Sequence, residues 1–170
     1  KNVVSVSVPG NREKVLDLMR KEDKAVLPVV KGDTKQLVGL ITRSDLIVNP
    51  DEEQIAILMS TDLVTASPDD DVKDVAKKMI DNNVRRVPVV DDNGDLVGII
   101  TSFDLVSNAL IKLESDDPVE NFMITTVPTT WYKTPLNVAF ETMKQFGLKS
   151  VLALNDSAKL VGILTETDFI

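Results

Sequence analysis

Apolar and polar positions along this chain form short blocks that recur in one order. Val3 to Val8, Leu63 to Ala66 and Ile124 to Pro128 read as short strands. Each precedes a segment with apolar residues at helical spacing. These are Val15, Leu18 and Met19, then Val72, Val75, Ala76, Met79 and Ile80, then Leu136, Ala139, Phe140 and Met143. Ser67-Pro68-Asp69-Asp70 predicts an N-cap, a proline at the first helical position and acids in the first turn. Thr134-Pro135 starts the third helix and Gly147 is placed to stop it.

After each helix come two apolar runs separated by polar turn residues, the pattern of a β-hairpin. The first runs are Ala25 to Val30, Arg85 to Val90 and Lys149 to Leu154. The second runs share one string: Leu37-Val38-Gly39-Leu40-Ile41-Thr42-Arg43-Ser44-Asp45, Leu96 to Asp104, and Leu160 to Asp168. The shared pattern is Leu-Val-Gly, two aliphatics, then Thr-x-x-Asp. Its glycines, Gly39, Gly98 and Gly162, are 59 and 64 residues apart, and they are three of only seven in the chain. In the second copy the turn contains Asn93-Gly94, a strong hairpin signal. A short helix is expected at each Thr-x-x-Asp. Linking helices are expected at about Glu52 to Met59 and Pro118 to Met123. The order per repeat is β-α-β-β-α. The fold class is therefore α/β (or α+β), with small sheets covered by helices. The expected units are residues 1–50, 51–112 and 113–170.

Composition narrows the chemistry. Histidine and cysteine are absent, which removes disulfides, thiolate metal sites and Ser-His-Asp or Cys-His catalysis. The net charge is −8, with a pI near 4.6. A broad basic face for nucleic acid or an anionic membrane is excluded, so any anionic ligand must be held by a few local cations. No apolar run reaches the roughly 20 residues that a membrane-spanning helix needs. The first residues alternate like a strand rather than a signal peptide. The expected setting is cytoplasmic. Asp91-Asp92-Asn93-Gly94-Asp95 reads as a hairpin turn rather than a calcium loop, because an EF-hand starting at Asp91 would need Glu where Ser102 stands. Asp69-Asp70-Asp71 reads as a helix start, and Trp131-Tyr132 as a local staple or interface patch.

The Thr-x-x-Asp turns allow two readings. One is a capping box, in which Thr caps the helix and Asp reaches back to the Thr backbone. The other is nucleotide binding, with the Thr hydroxyl as a donor and the Asp as an acceptor for ribose hydroxyls.

With Pro-Val-Val strands in the first two repeats (Leu152 stands where the third would have its proline) and Gly-aliphatic-aliphatic-Thr-x-x-Asp turns in all three at about 60-residue spacing, the repeats resemble CBS motifs, the units that pair into Bateman modules. The resemblance covers nearly the whole chain. The arrangement is similar to archaeal multi-CBS proteins and to the gamma subunit of the AMP-activated kinase. It implies that repeats one and two pair by pseudo-twofold symmetry around two ligand clefts. The third repeat is unpaired in this chain, and a fourth repeat beyond its end or a second molecule would complete it.

The resemblance also implies the site residues. The family's ribose-binding Asp corresponds to Asp45, Asp104 and Asp168. One cleft would combine Thr42, Arg43, Ser44 and Asp45 with Thr65, Ala66, Arg85, Arg86 and Pro88. The other would combine Thr101, Ser102, Phe103 and Asp104 with Ser7, Ala25, Val26 and Pro28. Thr165 and Asp168 would serve a third site. Arg85-Arg86 replaces the His-Arg pair that contacts phosphates in similar proteins. Strand alternation directs one of the two into a cleft, and Arg86 is favoured. Its alternative is a surface pair with Asp91 or Asp92. The implied ligand is an adenine nucleotide (AMP, ADP or ATP), with S-adenosylmethionine as the alternative. The implied role is a regulatory sensor rather than an enzyme, working as a homodimer on an unidentified protein. A ligand-free dimerisation scaffold is the competing reading.

Overall fold

The computed structural model describes residues 3–109, 117–121 and 123–169. The chain forms two compact units, residues 1–115 and 116–170. The boundary expected at residues 112 and 113 lies outside the described residues.

The first repeat begins with β1 (Val6–Val8) and α1 (Arg12–Lys21), then β2 (Val26–Lys31), β3 (Leu37–Thr42) and α2 (Arg43–Val48). A linking helix α3 (Ile55–Leu58) leads into α4 (Val72–Asp81), β4 (Arg86–Val90), β5 (Leu96–Thr101) and α5 (Ser102–Ala109). The second unit holds a 3-10 turn at Val119–Asn121, β6 (Thr129–Trp131), α6 (Leu136–Gln145), β7 (Ser150–Leu154), β8 (Leu160–Thr165) and a 3-10 turn at Glu166–Phe169. This is the mixed α/β repeat that the hydrophobic pattern predicts.

Each repeat pairs its hairpin antiparallel and adds a parallel strand across the helix. β1 runs parallel to β2, with Val6 opposite Val29, and β6 runs parallel to β7, with Thr129 opposite Leu152. In the second repeat this strand shrinks to one bridge, Ala66 opposite Val89. Ala66 N–H donates to Pro88 O at 3.0 Å, and Val90 N–H donates to Ala66 O at 2.9 Å. Each hairpin slips register at the same place: Val29/Val30, Val89/Val90 and Ala153/Leu154.

The three long helices end alike. Lys24, Val84 and Leu148 donate backbone N–H groups to Met19, Met79 and Met143 O at 2.9, 2.9 and 2.8 Å. The residue before each donor, Asp23, Asn83 or Gly147, has a positive φ of 48, 52 or 61°. This is a Schellman ending, which needs a left-handed residue, supplied by glycine or more rarely by Asn or Asp. The glycine rule finds only the third. The repeated methionine one turn earlier is buried in every copy, 1%, 5% and 2% exposed.

The core of the first repeat joins Val15, Met19, Leu27, Val29, Ile41 and Leu46 to Ile55 and Leu58 of α3. The second repeat has a smaller core of Ala66, Val75, Met79 and Val87. The two hairpins touch at their turns. Leu96 N–H donates to Lys35 O at 2.8 Å, and Leu37 N–H donates to Gly94 O at 3.1 Å.

Several expected boundaries move. Leu63 to Val64 and Ile124 to Pro128 are not strands, and the third repeat's strand lies at Thr129–Trp131. Apolar runs of this length carry no ladder partner of their own, so β pairing elsewhere decides the outcome. Ser67 does not cap α4: Asp70 N–H closes a turn onto Ser67 O, and Asp71 caps the helix by accepting from Lys73 N–H at 2.7 Å. Val72, Ile80 and Leu136, expected on buried helix faces, are exposed. The linking helices are short, and Phe122 lies outside the described residues.

Candidate functional site

In each Thr-x-x-Asp sequence the aspartate accepts from the backbone N–H and the hydroxyl of its threonine, and in the first two copies its own N–H returns to that hydroxyl. In the first, Asp45 Oδ2 accepts from Thr42 N–H and from Thr42 Oγ1, both at 2.7 Å, while Asp45 N–H donates to Thr42 Oγ1 at 3.2 Å. In the second, Asp104 Oδ2 accepts from Thr101 N–H at 2.8 Å and Oγ1 at 2.6 Å, with Asp104 N–H returning to Thr101 Oγ1 at 3.1 Å. In the third, Asp168 Oδ2 accepts from Thr165 N–H and Oγ1 at 2.7 and 2.9 Å. The capping box is therefore present in the residues that the nucleotide reading also needs. One group can do both, because the ring fixes the carboxylate's position. The hydroxyl and then the backbone N–H of Thr101 hold the Asp104 carboxyl below its ordinary range.

Only some of these residues meet at a cavity. A cleft of about 820 Å³ opens in the first unit. That lies within the roughly 300–1,000 Å³ usual for small-molecule sites. Repeat one contributes Val3, Val4, Glu22, Asp23, Lys24, Ala25, Val26, Pro28 and Arg43. Repeat two contributes Arg86, Val97, Gly98, Ile99, Thr101 and Asp104.

Two groupings expected from the sequence are thus redistributed. Thr101 and Asp104 lie with Ala25, Val26 and Pro28 as grouped, whereas Ser7, Ser102 and Phe103 do not line the cleft. Phe103 is 75% exposed, so it is neither core nor cleft wall. Arg86 and Arg43, grouped with Asp45, instead line the cleft that holds Asp104. The register explains this. Arg86 pairs with Thr101 at the open end of hairpin β4–β5, and Arg43 N–H donates to Ala25 O at 3.1 Å at the open end of hairpin β2–β3. Arg85, one residue away, stays outside the cleft, as strand alternation requires.

Thr42, Ser44, Asp45 and Thr65 also lie outside it, while Ala66 and Pro88 are buried in the core. The surface around Gly39 carries a cover of its own. A Cβ there would stand 2.6 Å from Met59 Sδ and 3.2 Å from Ser60 O, and Ser60 exchanges backbone bonds with Leu40 at 2.9 and 3.0 Å. Thr165 and Asp168 belong to the second unit.

The cleft carries both signs of charge, with Lys24, Arg43 and Arg86 against Glu22, Asp23 and Asp104. Arg86 has no ion-pair partner among the described residues. Asp91 instead spends its Oδ1 on the N–H groups of Asn93 and Asp95 within the hairpin turn. Sequence reasoning missed Glu22 to Lys24 and Val97 to Ile99, and also Val3 and Val4 ahead of β1. The first are the Schellman turn before Ala25, and the second sit inside the repeated string itself. Trp131 joins a separate dip of about 440 Å³ in the second unit, where its Nε1 donates to Asp156 Oδ1 at 2.8 Å.

Comparison with known proteins adds the following. The family model for the CBS domain matches residues 1–50, 53–110 and 119–170. Protein MJ1225 of Methanocaldococcus jannaschii, described as a proposed archaeal homolog of g-AMPK, is 23% identical over 190 residues, covering 100% of this chain and 68% of its own length. Its crystal structure superposes with a TM-score of 0.88 over 99% of this chain and 67% of that one, at 22% identity. The CBS domain pair of protein MJ0100, solved with 5′-methylthioadenosine and S-adenosyl-L-methionine, is 30% identical with a TM-score of 0.56, covering 63% of this chain and 89% of that one. CBSX2, solved in complex with AMP, is 24% identical with a TM-score of 0.57 over 64% of this chain and 88% of that one. The chain spans 43% of the length of a curated relative from Methanopyrus kandleri, protein MK0525, to which it is 36% identical over 85 residues (46% of this chain).

Proposed function

The chain belongs to the CBS-domain family, and from that premise we propose that repeats one and two form a regulatory module that binds an adenosine ligand in the cleft. The carrying observation is the convergence, on one cavity of about 820 Å³, of a carboxylate held by its own threonine with two arginines. Asp104 accepts hydrogen bonds from ribose hydroxyls. The apolar walls at Val4, Val26 and Ile99 take the adenine, and Arg86 takes the phosphate with its planar fork. The MJ0100 pair, solved with two adenosine derivatives, supports the ligand class.

In this reading the module acts by binding; the lack of histidine and cysteine leaves turnover without the commonest general base and without a thiolate nucleophile. A ligand that prefers one packing of the two repeats shifts the population toward it, and thereby signals to a regulated partner in the cytoplasm. Leu160, Val161 and Ile163 of β8 are 61%, 53% and 59% exposed, which supports a pairing role for the third repeat, with a fourth repeat or a second copy.

Thermal unfolding with AMP, ADP, ATP or S-adenosylmethionine tests this reading. A ligand at 100 times its Kd adds about 2.7 kcal/mol, a shift of several degrees in a domain of this size. The expected result is a shift with at least one ligand that Asp104→Ala removes. No shift with any of them favours the ligand-free scaffold.

A further inference from the structure

We propose that Trp131 and Tyr132 form a binding corner for small quaternary ammonium compounds, with Lys133 as its internal competitor. These are the only tryptophan and the only tyrosine of the chain, and they stand side by side in the second unit. Their rings meet edge to face, with centroids 5.7 Å apart and planes 81° apart. They are 48% and 45% exposed, so both offer ring surface to a solute. Lys133 Nζ lies 5.4 Å from the Trp131 centroid and 5.0 Å from that of Tyr132. An alkylammonium is thus already seated against two rings nearly at right angles, and it is the chain's own. Ring faces attract cations, and quaternary ammonium groups are the usual guests of aromatic cages. The primary ammonium of a lysine is strongly hydrated, whereas a trimethylammonium group has no N–H to hydrate and leaves water more readily.

The fold does not call for these aromatics. The third residue of β1, paired with Lys31, is Val8, and Pro9 follows it. The third residue of β6, paired with Leu154, is Trp131, and Tyr132 follows it. The backbone holds the corner in place. Tyr132 N–H donates to Leu154 O and Thr134 N–H closes a turn onto Trp131 O, both at 2.9 Å, while Trp131 Nε1 donates to Asp156 Oδ1 at 2.8 Å. Trp131 and Asp156 also line the dip of about 440 Å³, with Thr129, Thr130 and Asn155. Hydroxyls, an amide and a carboxylate therefore stand beside the indole for the polar end of a ligand. Lys133 has no ion pair among the described residues, so its departure from the rings breaks no salt bridge. The net charge of −8 draws cations toward the chain. Two exposed cation–π contacts make a weak site, about millimolar or weaker, which responds to an abundant solute.

Because Trp131 is the sole tryptophan, the intrinsic fluorescence of the full chain reads the corner directly. The probe is choline chloride, titrated against sodium chloride at equal ionic strength and against choline's neutral isostere, in which carbon replaces the nitrogen. Melting points of each variant are measured alongside. Choline should change the Trp131 emission with saturation, and the isostere should bind severalfold more weakly. Tyr132→Leu, which removes one ring, should weaken choline by about two- to fivefold, the worth of one exposed cation–π contact. Lys133→Ala should tighten it, because the competitor is gone, whereas a merely structural aromatic staple predicts no gain. Equal responses to choline and to the isostere or sodium chloride would make the effect apolar or ionic and overturn the proposal. So would a choline affinity that Lys133→Ala leaves unchanged or lowers. Failure of both wild type and Lys133→Ala to give a saturable change, with melting points intact, would overturn it as well. None of these outcomes bears on nucleotide binding in the first unit, which is read separately.

Discussion

Gly98 and Gly162 stand at the same place in the same nine-residue string, in very different surroundings. The string containing Gly98 begins at Leu96, which is 7% exposed, and runs along a cleft wall with Val97, Ile99, Thr101 and Asp104. The string containing Gly162 begins at Leu160, which is 61% exposed, and a Cβ at Gly162 would meet nothing within 4 Å. In both the aspartate accepts from the N–H and hydroxyl of its threonine, at 2.6 to 2.9 Å. The string therefore specifies a hairpin and a cap. A binding cleft needs a second repeat to supply the opposite wall.

The harshest way to break this comparison is to remove the buried methionine under each copy. Met79→Ala and Met143→Ala should each cost about 2–5 kcal/mol, the usual range for a buried Met-to-Ala change. Differential scanning calorimetry should show Met79→Ala lowering the transition of the first unit and Met143→Ala that of the second. Only Met79→Ala should weaken nucleotide binding. A smaller effect separates the two carboxylates. Asp104→Ala should weaken AMP by about thirtyfold, near 2 kcal/mol, since a tenfold change is about 1.4 kcal/mol. Asp168→Ala should leave AMP affinity within twofold, and a comparable loss there would mean that the third repeat holds the ligand.

The glycines grade the comparison more finely. Gly39→Ala pushes on Met59 and the Ser60 backbone and should destabilise by about 1–3 kcal/mol, the cost of overpacking. Gly162→Ala has open space and should be neutral or raise stability by up to about 1 kcal/mol, read from melting midpoints. The smallest effect concerns pH. Because the folded carboxyl of Asp104 titrates below its ordinary value of 3.8, its contribution is present above that value. It is lost as pH falls through the lower folded value. Asp104→Asn should therefore flatten the acid limb of the melting-point profile below about pH 4 and leave its neutral region parallel to wild type.

What was legible in the sequence follows the same division. Repeat order, hairpins and caps are local, and they show in spacing: Asn93-Gly94 makes the turn, and each Thr-x-x-Asp makes its ring. The positions of Arg43 and Arg86 were legible as cations and not as neighbours. Their meeting depends on which open hairpin ends face one another, a long-range matter that no spacing records. Asp23 and Asn83 hid the helix endings because left-handed residues other than glycine leave a weak compositional trace. Strands at Leu63 and Ile124 were overread because an apolar run does not reveal whether a ladder partner is at hand.

The bonds between the hairpin turns carry a mechanical consequence. Lys35 and Leu96, with Leu37 and Gly94, fasten the repeats at one end of their strands, while Arg43 and Arg86 stand at the other. The arrangement has the form of tongs. Were the hairpins to turn about this pair of backbone bonds, each arm would be a six-residue strand, about 20 Å long at roughly 3.3 Å per residue. A rotation of about 5° at the pivot would move the jaws by about 2 Å on arms of that length. A small angular change at the turns would thereby be multiplied where the arginines stand, and a grip at the arginines would exert its greatest torque on the turns.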